Sequence, residues 1–299
     1  MTAVNANEGI RKQESGESIE TITVQKIFIK DGQFSAENDW VVVERPLLME
    51  ISYETNTGYE SQKISLTMRT PGADEELLLG YLITEGILQS YQQVQNVHLA
   101  ASCAQKTADT IHLRLKKGIA VDLRGLKRFA AISSACGACG KVSTAELFQS
   151  SPFPAAQDHW QLPVDAVHGL KDLLTSVQCG YATTGGMHAA ALVDRQRRLL
   201  AMREDVGRHN ALDKLIGFAA MQDMLPLQQY ILLLSGRLSF ELVQKAGMVG
   251  IPIVVGIGAP SSLAIDTAKR FGITLIGFLK ATSFSVYTCQ ERICDAKKF

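Results

Sequence analysis

The stretch Tyr230–Phe278, YILLLSGRLSFELVQKAGMVGIPIVVGIGAPSSLAIDTAKRFGITLIGF, decides the fold. Three apolar runs of strand length, Tyr230–Leu234, Ile251–Ile257 and Ile273–Phe278, alternate with segments of helical spacing, Phe240–Met248 and Ser262–Phe271. Continuously apolar strands joined by helices predict a parallel sheet covered on both faces. In such sheets ligands bind outside the carboxyl ends of the strands, where helix N-terminal N–H groups face anions. The two strand-to-helix turns, Ser235-Gly236-Arg237-Leu238-Ser239 and Gly256-Ile257-Gly258-Ala259-Pro260, are therefore candidate ligand positions, and Arg237 adds a fork suited to phosphate or carboxylate. At the second turn, ordinary helix capping by Ser261 or Ser262 explains the residues equally well. Neither turn matches a Walker loop or G-x-G-x-x-G, which argues against nucleotide hydrolysis and dinucleotide-dependent dehydrogenation.

Upstream, Arg208–Ala220 and Val164–Val177 have helical spacing, while Ala189–Val193 and Leu199–Arg203 flank the polar turn Asp194–Arg198 as in a hairpin. From Thr21 to Leu115 strand signals dominate: Thr21–Ile29, Leu47–Tyr53, Ser61–Arg69, Val94–Ala100 and Thr110–Leu115. One helix interrupts them after the turn Thr70-Pro71-Gly72, with Asp74, Glu75 and Glu76 in its first turn, where acids complement the helix dipole. A mixed stretch, Val121–Phe129, reads as a short helix, and the prolines at 152, 154 and 163 mark a boundary. The expected organisation is a disordered leader over residues 1–20, a mainly β amino-terminal domain over 21–155 and an α/β domain over 156–299. The leader has charged residues and no apolar core, unlike a secretory signal, so the expected location is the cytoplasm.

Among the 299 residues, 30 Lys plus Arg balance 30 Asp plus Glu, and charged residues make up 20% of the chain. Bulk neutrality argues against a polyanion binder that works by counterion release, so no nucleic-acid partner is expected. No apolar run approaches the ~18 residues of a membrane span. Any anion site must then be local, and Arg203–Lys214, REDVGRHNALDK, is the densest gathering of charge. Arg208 and His209 stand at the predicted start of a helix, where cations oppose the dipole and a bound anion would relieve the opposition. Asp205 lies beside them. His188, in Thr183-Thr-Gly-Gly-Met-His188, is more simply read as structural, although Gly185-Gly186 permits a close ligand.

Six cysteines are too sparse for a disulfide scaffold. Cys136 and Cys139 form a C-x-x-C within SSACGACGK, a stretch without periodicity that reads as a mobile loop. Three chemistries compete there: structural zinc, which lacks a second C-x-x-C; a thioredoxin-type redox pair, which expects an immediate helix; and a loop carrying a nucleophilic or sulfur-carrying thiol. The last fits the flanking Gly and Ser best. The isolated Cys103, Cys179, Cys289 and Cys294 read as packed or inert.

Taken in order, ERPLLMEI (44–51), MRTPGADEELLLGYLITEGIL (68–88), CGACGK (136–141), TGGMHAA from Thr184, EDVGRHNALDK (204–214), SGRLSFELVQKA (235–246) and GAPSSLAIDTAKRFGITLIGFLK (258–280) resemble the FdhD family, sulfurtransferases that serve formate dehydrogenase. The resemblance runs from about Thr21 to Arg292. It implies a homodimer whose carboxyl-terminal domain is a three-layer fold similar to cytidine deaminase. It further implies a protein that takes persulfide sulfur from a cysteine desulfurase. The sulfur passes to the molybdenum or tungsten of bis(molybdopterin guanine dinucleotide) before insertion into the formate dehydrogenase catalytic subunit. No catalytic metal of the chain's own is expected; Ala190 stands where a zinc deaminase needs its Glu, two residues after His188. On this resemblance Cys136 is the persulfide carrier with Cys139 as partner, and the cofactor lies against Phe278, Leu279, Lys280, Ala281, Thr282 and Ser283. To these the charge argument adds Asp205, Arg208, His209 and Arg237. Family members commonly carry Arg where this chain has Lys280 and Asn where it has Ser285, which exchanges a bidentate fork for a point charge. The alternative is a non-catalytic chaperone that only holds the cofactor.

Overall fold

The computed structural model describes residues 19–100, 108–121, 151–153 and 160–295. The leader through residue 18, the stretch 122–129, Cys103, Cys136, Cys139 and the proposed domain break at 154–159 lie outside the described residues. In chain order the elements are β1 Thr21–Lys30, β2 Gln33–Val42, β3 Arg45–Thr55, β4 Gly58–Arg69, α1 Asp74–Thr84, β5 Val94–Ala100, β6 Asp109–Leu115 and β7 Leu162–Pro163. They continue with α2 Val164–His168, α3 Leu170–Thr175, α4 Cys179–Thr184, β8 His188–Asp194, β9 Leu199–Asp205, α5 Arg208–Met221, β10 Tyr230–Leu234, α6 Phe240–Met248, β11 Ile253–Gly256, α7 Ser262–Phe271, β12 Thr274–Gly277, β13 Ser285–Val286 and β14 Ile293–Cys294. Among the described residues no helix is long and apolar enough to cross a membrane.

The chain is a mixed α/β protein. A six-stranded sheet in the order β13-β12-β11-β10-β8-β9 carries the carboxyl-terminal half. Its centre, β10-β11-β12, is parallel as the apolar runs predict. The sheet as a whole is mixed, because the expected hairpin and a short last strand flank that parallel centre. The Asp194–Arg198 turn is too short for a crossover, so β8 and β9 pair antiparallel; β8 also runs against β10, and β13 against β12. Period-two alternation sorts the side chains. Ile231, Leu233, Ile253 and Val255 point into a core layer closed by Ala166, Val167, Leu170 and Leu174 of α2 and α3. Leu232, Leu234 and Val254 point the other way, onto Leu212, Ile216, Val243 and Ala264 of α5, α6 and α7. The helix expected over Val164–Val177 is instead two short ones joined at Gly169, a poor helix former.

A four-stranded sheet, β4-β3-β6-β5, forms the amino-terminal half. Its inward side chains Leu47, Met49, Ile51, Ile111 and Leu113 belong to the same apolar cluster as Leu232 and Val254. Helix α1 connects the two sheets by crossing α5 at very close range. A methyl group on Gly80 would fall 1.8 Å from the Asp213 carbonyl oxygen, and one on Gly217 would fall 1.8 Å from that of Glu76. Only hydrogen at both positions permits this crossing.

The seam around that crossing buries charge, and each buried charge has a counterion. Lys245 Nζ lies 2.9 Å from Asp213 and 3.5 Å from Glu85; Arg203 forks onto Glu76; Arg69 meets Asp74 and Asp109, each at 2.8 Å. Burial works against the Lys245 charge, but Asp213 and Glu85 outweigh it and hold its pKa above the ordinary lysine range. Burial likewise drives the nearby Tyr81 hydroxyl up to about 12.

Strand β2 is absent from the strand signals of the sequence. It pairs with β1 through ten registered positions to make a two-stranded ribbon separate from the other sheets.

Candidate functional site

The carboxyl ends of β9, β10, β11 and β12 lie along one edge of the six-stranded sheet, together with the start of antiparallel β8. Beyond the strands the hydrogen-bond ladder continues through the turns: Ser235 N–H donates to the Ala189 carbonyl, Gly258 N–H to Gly236 and Phe278 N–H to Gly258. The turns are stacked tightly. A Cβ on Gly258 would stand 2.9 Å from the Arg237 backbone and from the Gly236 oxygen, so a side chain there would prise them apart.

On this edge the fold gathers basic side chains from separate elements. His188 opens β8, Arg208 and His209 open α5, and Arg237 lies on the exposed turn after β10. A Cβ on Gly236 would come within 3.2 Å of the His188 ring. Burial, then the fields of Arg208, His209 and Arg237, hold the His188 pKa below the ordinary histidine value, so the ring is neutral at pH 7. Helix α5 begins at Gly207 without a side-chain cap, which leaves its first N–H groups directed at the same edge. The Arg208 Nε is buried with no hydrogen-bond partner among the described residues. Glu241 is the carboxylate on this edge: its Oε2 lies 2.8 Å from His209 Nε2, and that hydrogen bond keeps its pKa below the usual range. Ser239 Oγ joins them, 3.4 Å from each. The arrangement suits an anion, because its cations exceed its acids and one donor is buried and unused.

Asp205 has a different environment from its neighbours. It is 0% exposed, and its carboxylate accepts from Thr70 N–H at 3.1 Å, Gly207 N–H at 2.8 Å, Asn210 Nδ2 at 3.1 Å and Lys214 Nζ at 2.7 Å. Those four bonds fill its lone pairs, so Asp205 positions the loop that bears Arg208 and His209 and presents no oxygen to a ligand. Thr70 returns a bond through Oγ1, which accepts from Val206 N–H, and Asn210 Nδ2 also donates to Met68 O. This latch between the β4–α1 turn and the β9–α5 turn was not legible in the sequence, where Thr70-Pro71-Gly72 signals only a turn.

The segment after β12 divides. Phe278 takes a left-handed backbone, φ 53°, and is 46% exposed at the edge. Leu279 is buried in the core layer under α2 and α3, so only its backbone faces the site. Lys280 is exposed and its N–H closes a tight turn onto Ser283 O at 2.8 Å; Ala281, Thr282 and Ser283 are exposed around that turn. Ser261 caps α7 by accepting from Ala264 N–H at 3.2 Å, the capping reading of that turn. Among the described residues no group of three or more His, Cys, Asp and Glu gathers as a metal site.

Comparison with known proteins bears on what this edge serves. The chain is 39% identical over 265 residues to a Sulfur carrier protein FdhD of Mycolicibacterium paratuberculosis, covering 88% of this chain and 94% of that one. A protein of the same name from Saccharolobus solfataricus is 36% identical over 267 residues, covering 89% and 95%. A crystal structure of a formate dehydrogenase accessory protein from Desulfotalea psychrophila has the same fold, with a TM-score of 0.66, 23% identity and coverage of 92% of this chain and 99% of that one. The FdhD/NarQ family model matches residues 50–294, a span holding the six-stranded sheet, most of the four-stranded one and the cationic edge. With relatives this similar along nearly their whole length, the chain belongs to the FdhD/NarQ family.

Proposed function

We propose that this protein carries sulfur to the metal of bis(molybdopterin guanine dinucleotide), and that the cofactor lies along the cationic edge of the six-stranded sheet. The observation that carries the reading is the convergence of Arg208, His209 and Arg237 around neutral His188, with the buried Arg208 Nε unpartnered. From β9 to β12 the edge crosses four strand spacings, about 19 Å at about 4.8 Å each. That length matches an extended ligand with a diphosphate near Arg208 and Arg237 and a further contact at Phe278 and Lys280. The layered carboxyl-terminal half is read as a cytidine deaminase-like scaffold put to binding. The cofactor is the acceptor substrate, and the chain's own residues bind and orient it.

The sulfur chemistry falls to Cys136 and Cys139. The Cys136 thiolate attacks the outer sulfur of a cysteine desulfurase persulfide; the donor S–S bond breaks, the desulfurase cysteine leaves as thiolate, and Cys136 becomes the persulfide. Attack by the Cys139 thiolate on the inner sulfur then forms a Cys136–Cys139 disulfide and releases the outer sulfur as sulfide to the acceptor. The two thiols are oxidised as the sulfane sulfur is reduced, and a cellular dithiol restores them.

Incubation with a desulfurase and radiolabelled cysteine tests the relay. Label is expected as a protein persulfide in the parent and absent from Cys136→Ala. Full labelling of a Cys136→Ala, Cys139→Ala variant would exclude these thiols, and cofactor binding without labelling of the parent would favour a holding chaperone.

A further inference from the structure

At the end of the six-stranded sheet remote from the cationic edge, β7, the start of α2 and the turn between β8 and β9 border an open cavity of about 280 Å³. Strand β8 runs between the two ends, from His188 at the edge to Asp194 beside the cavity, and its residue steps of about 3.3 Å put about 20 Å between them. Trp160, Leu162 and Pro163 give the cavity apolar walls, Asp165 supplies a carboxylate, and Arg195 and Arg197 supply two guanidinium groups. Arg195 stacks over the Trp160 ring, 4.7 Å from its centre.

The turn keeps Arg197 for its side chain. Asp194 O accepts from Arg197 N–H at 2.9 Å and Asp194 N–H donates to Arg198 O at 3.0 Å, which makes a hairpin loop of Arg195, Gln196 and Arg197. The last position of such a loop is left-handed and glycine is the usual residue there, yet this chain places Arg197 at φ 65°. Asp194 does not hold that side chain, because its two carboxylate oxygens accept from Arg198, 2.8 Å from the N–H and 2.7 Å from Nε. Among the described residues the Arg197 guanidinium makes no hydrogen bond or ion pair. An arginine set where glycine is easier, and left without a partner beside a cavity, is a donor available to a ligand. The lining also selects its charge. Two guanidiniums against one carboxylate leave a single positive charge, which suits a monoanion better than a doubly charged phosphate ester. The volume corresponds to about nine waters at about 30 Å³ each, so the ligand has about that number of non-hydrogen atoms. Leu162 and Pro163 favour an apolar body, and the Trp160–Arg195 stack favours a planar one.

We propose that this cavity binds a small monocarboxylate with a planar apolar body, its carboxylate held by the Arg195 and Arg197 guanidiniums. The site lies at the far end of β8, so it stands or falls separately from sulfur transfer and from binding at the cationic edge. The chain has two tryptophans, Trp40 and Trp160, so a Trp40→Phe background makes the fluorescence a report on the cavity. In that background, titration with phenylacetate is expected to change the emission saturably, and its neutral isostere phenylacetamide to bind about tenfold more weakly. Arg197→Gly, which relaxes the turn, is expected to weaken phenylacetate by about tenfold with a thermal midpoint no lower than the parent's. Arg198→Gln, on the same turn but paired with Asp194, is expected to leave the affinity within about twofold. Saturating guanosine diphosphate is expected to leave it unchanged. No saturable change at millimolar phenylacetate, equal affinity for the amide, full affinity in Arg197→Gly, a lowered midpoint in that variant, equal loss in Arg198→Gln, or competition by guanosine diphosphate would each overturn the assignment.

Discussion

Two charged regions of this molecule lie close together and obey opposite rules. In the seam between α1, α5 and α6, Arg69, Arg203, Lys214 and Lys245 are all nearly buried and each touches at least one carboxylate. Along the adjoining sheet edge, Arg208 and Arg237 have no salt bridge among the described residues, and Glu241 is held by His209. Charge that serves only the fold is matched within the fold, because an unmatched buried charge costs several kcal/mol. Charge left over at an exposed edge is available to a ligand. Bulk neutrality, 30 against 30, conceals this partition.

The contrast is broken most severely from the seam side. Asp213→Ala leaves the Lys245 ammonium and the Thr84 hydroxyl without their shared partner, and is expected to remove about 3–5 kcal/mol in urea unfolding. Gly217→Ala acts on the same seam without touching charge. With the Glu76 carbonyl 1.8 Å from the new methyl, α1 and α5 must separate, and a loss of about 1–3 kcal/mol is expected by the same measurement. Arg208→Ala should reverse the pattern: a stability change within about 0.5 kcal/mol, because no ion pair is lost, but a 10–100-fold weaker affinity for guanosine diphosphate by calorimetry. Equal loss of stability and affinity in that variant would mean that the edge is structural after all.

The smallest effect concerns protons. His188 has a folded-state pKa below its unfolded value of about 6.5. The folded protein therefore binds fewer protons than the unfolded chain, and its part of the stability is present above about pH 6.5 and lost as the pH falls. A bound diphosphate favours the imidazolium, so binding should take up a fraction of a proton near pH 7 and tighten, by less than tenfold, between about pH 7.5 and 6. Calorimetry in buffers of different ionisation enthalpy measures the uptake, and its persistence in His188→Asn would assign the proton elsewhere.

How much of this could be read beforehand follows from what each signal reports. The alternation in Tyr230–Phe278 reports burial on both faces, and it located β10, β11, β12, α6 and α7 to within a few residues. It carries nothing about strand direction at the sheet's margins: the polar turn Asp194–Arg198 marks β8 and β9 as a hairpin, but neither the antiparallel run of β8 against β10 nor β13 has a local signal. Arg208 and His209 stand out in the sequence because cations at a helix start oppose the dipole, and Arg237 because it offers a fork on a strand-to-helix turn. Asp205 was grouped with them by proximity alone; only the fold reveals that Lys214 and three nitrogen donors from the chain fill its carboxylate. Strand β2 gives a weak signal because Asn38 breaks the apolar series Phe34, Ala36, Trp40 on one face, while Ser35, Glu37 and Asp39 make up the other. The contacts of Gly80 and Gly217 depend on residues more than a hundred positions away, beyond the reach of any local pattern.

The bond from Thr70 N–H to Asp205 turns the amino-terminal sheet into a gauge of the ligand edge. Because β4 ends at that bond and Arg208 begins three residues after Asp205, displacement of either turn strains the other within a few bond lengths. The Thr70 amide should then report on a distant event. Its hydrogen exchange would slow when an anion settles on α5 and quicken when the edge is vacated, although Thr70 itself never meets the ligand.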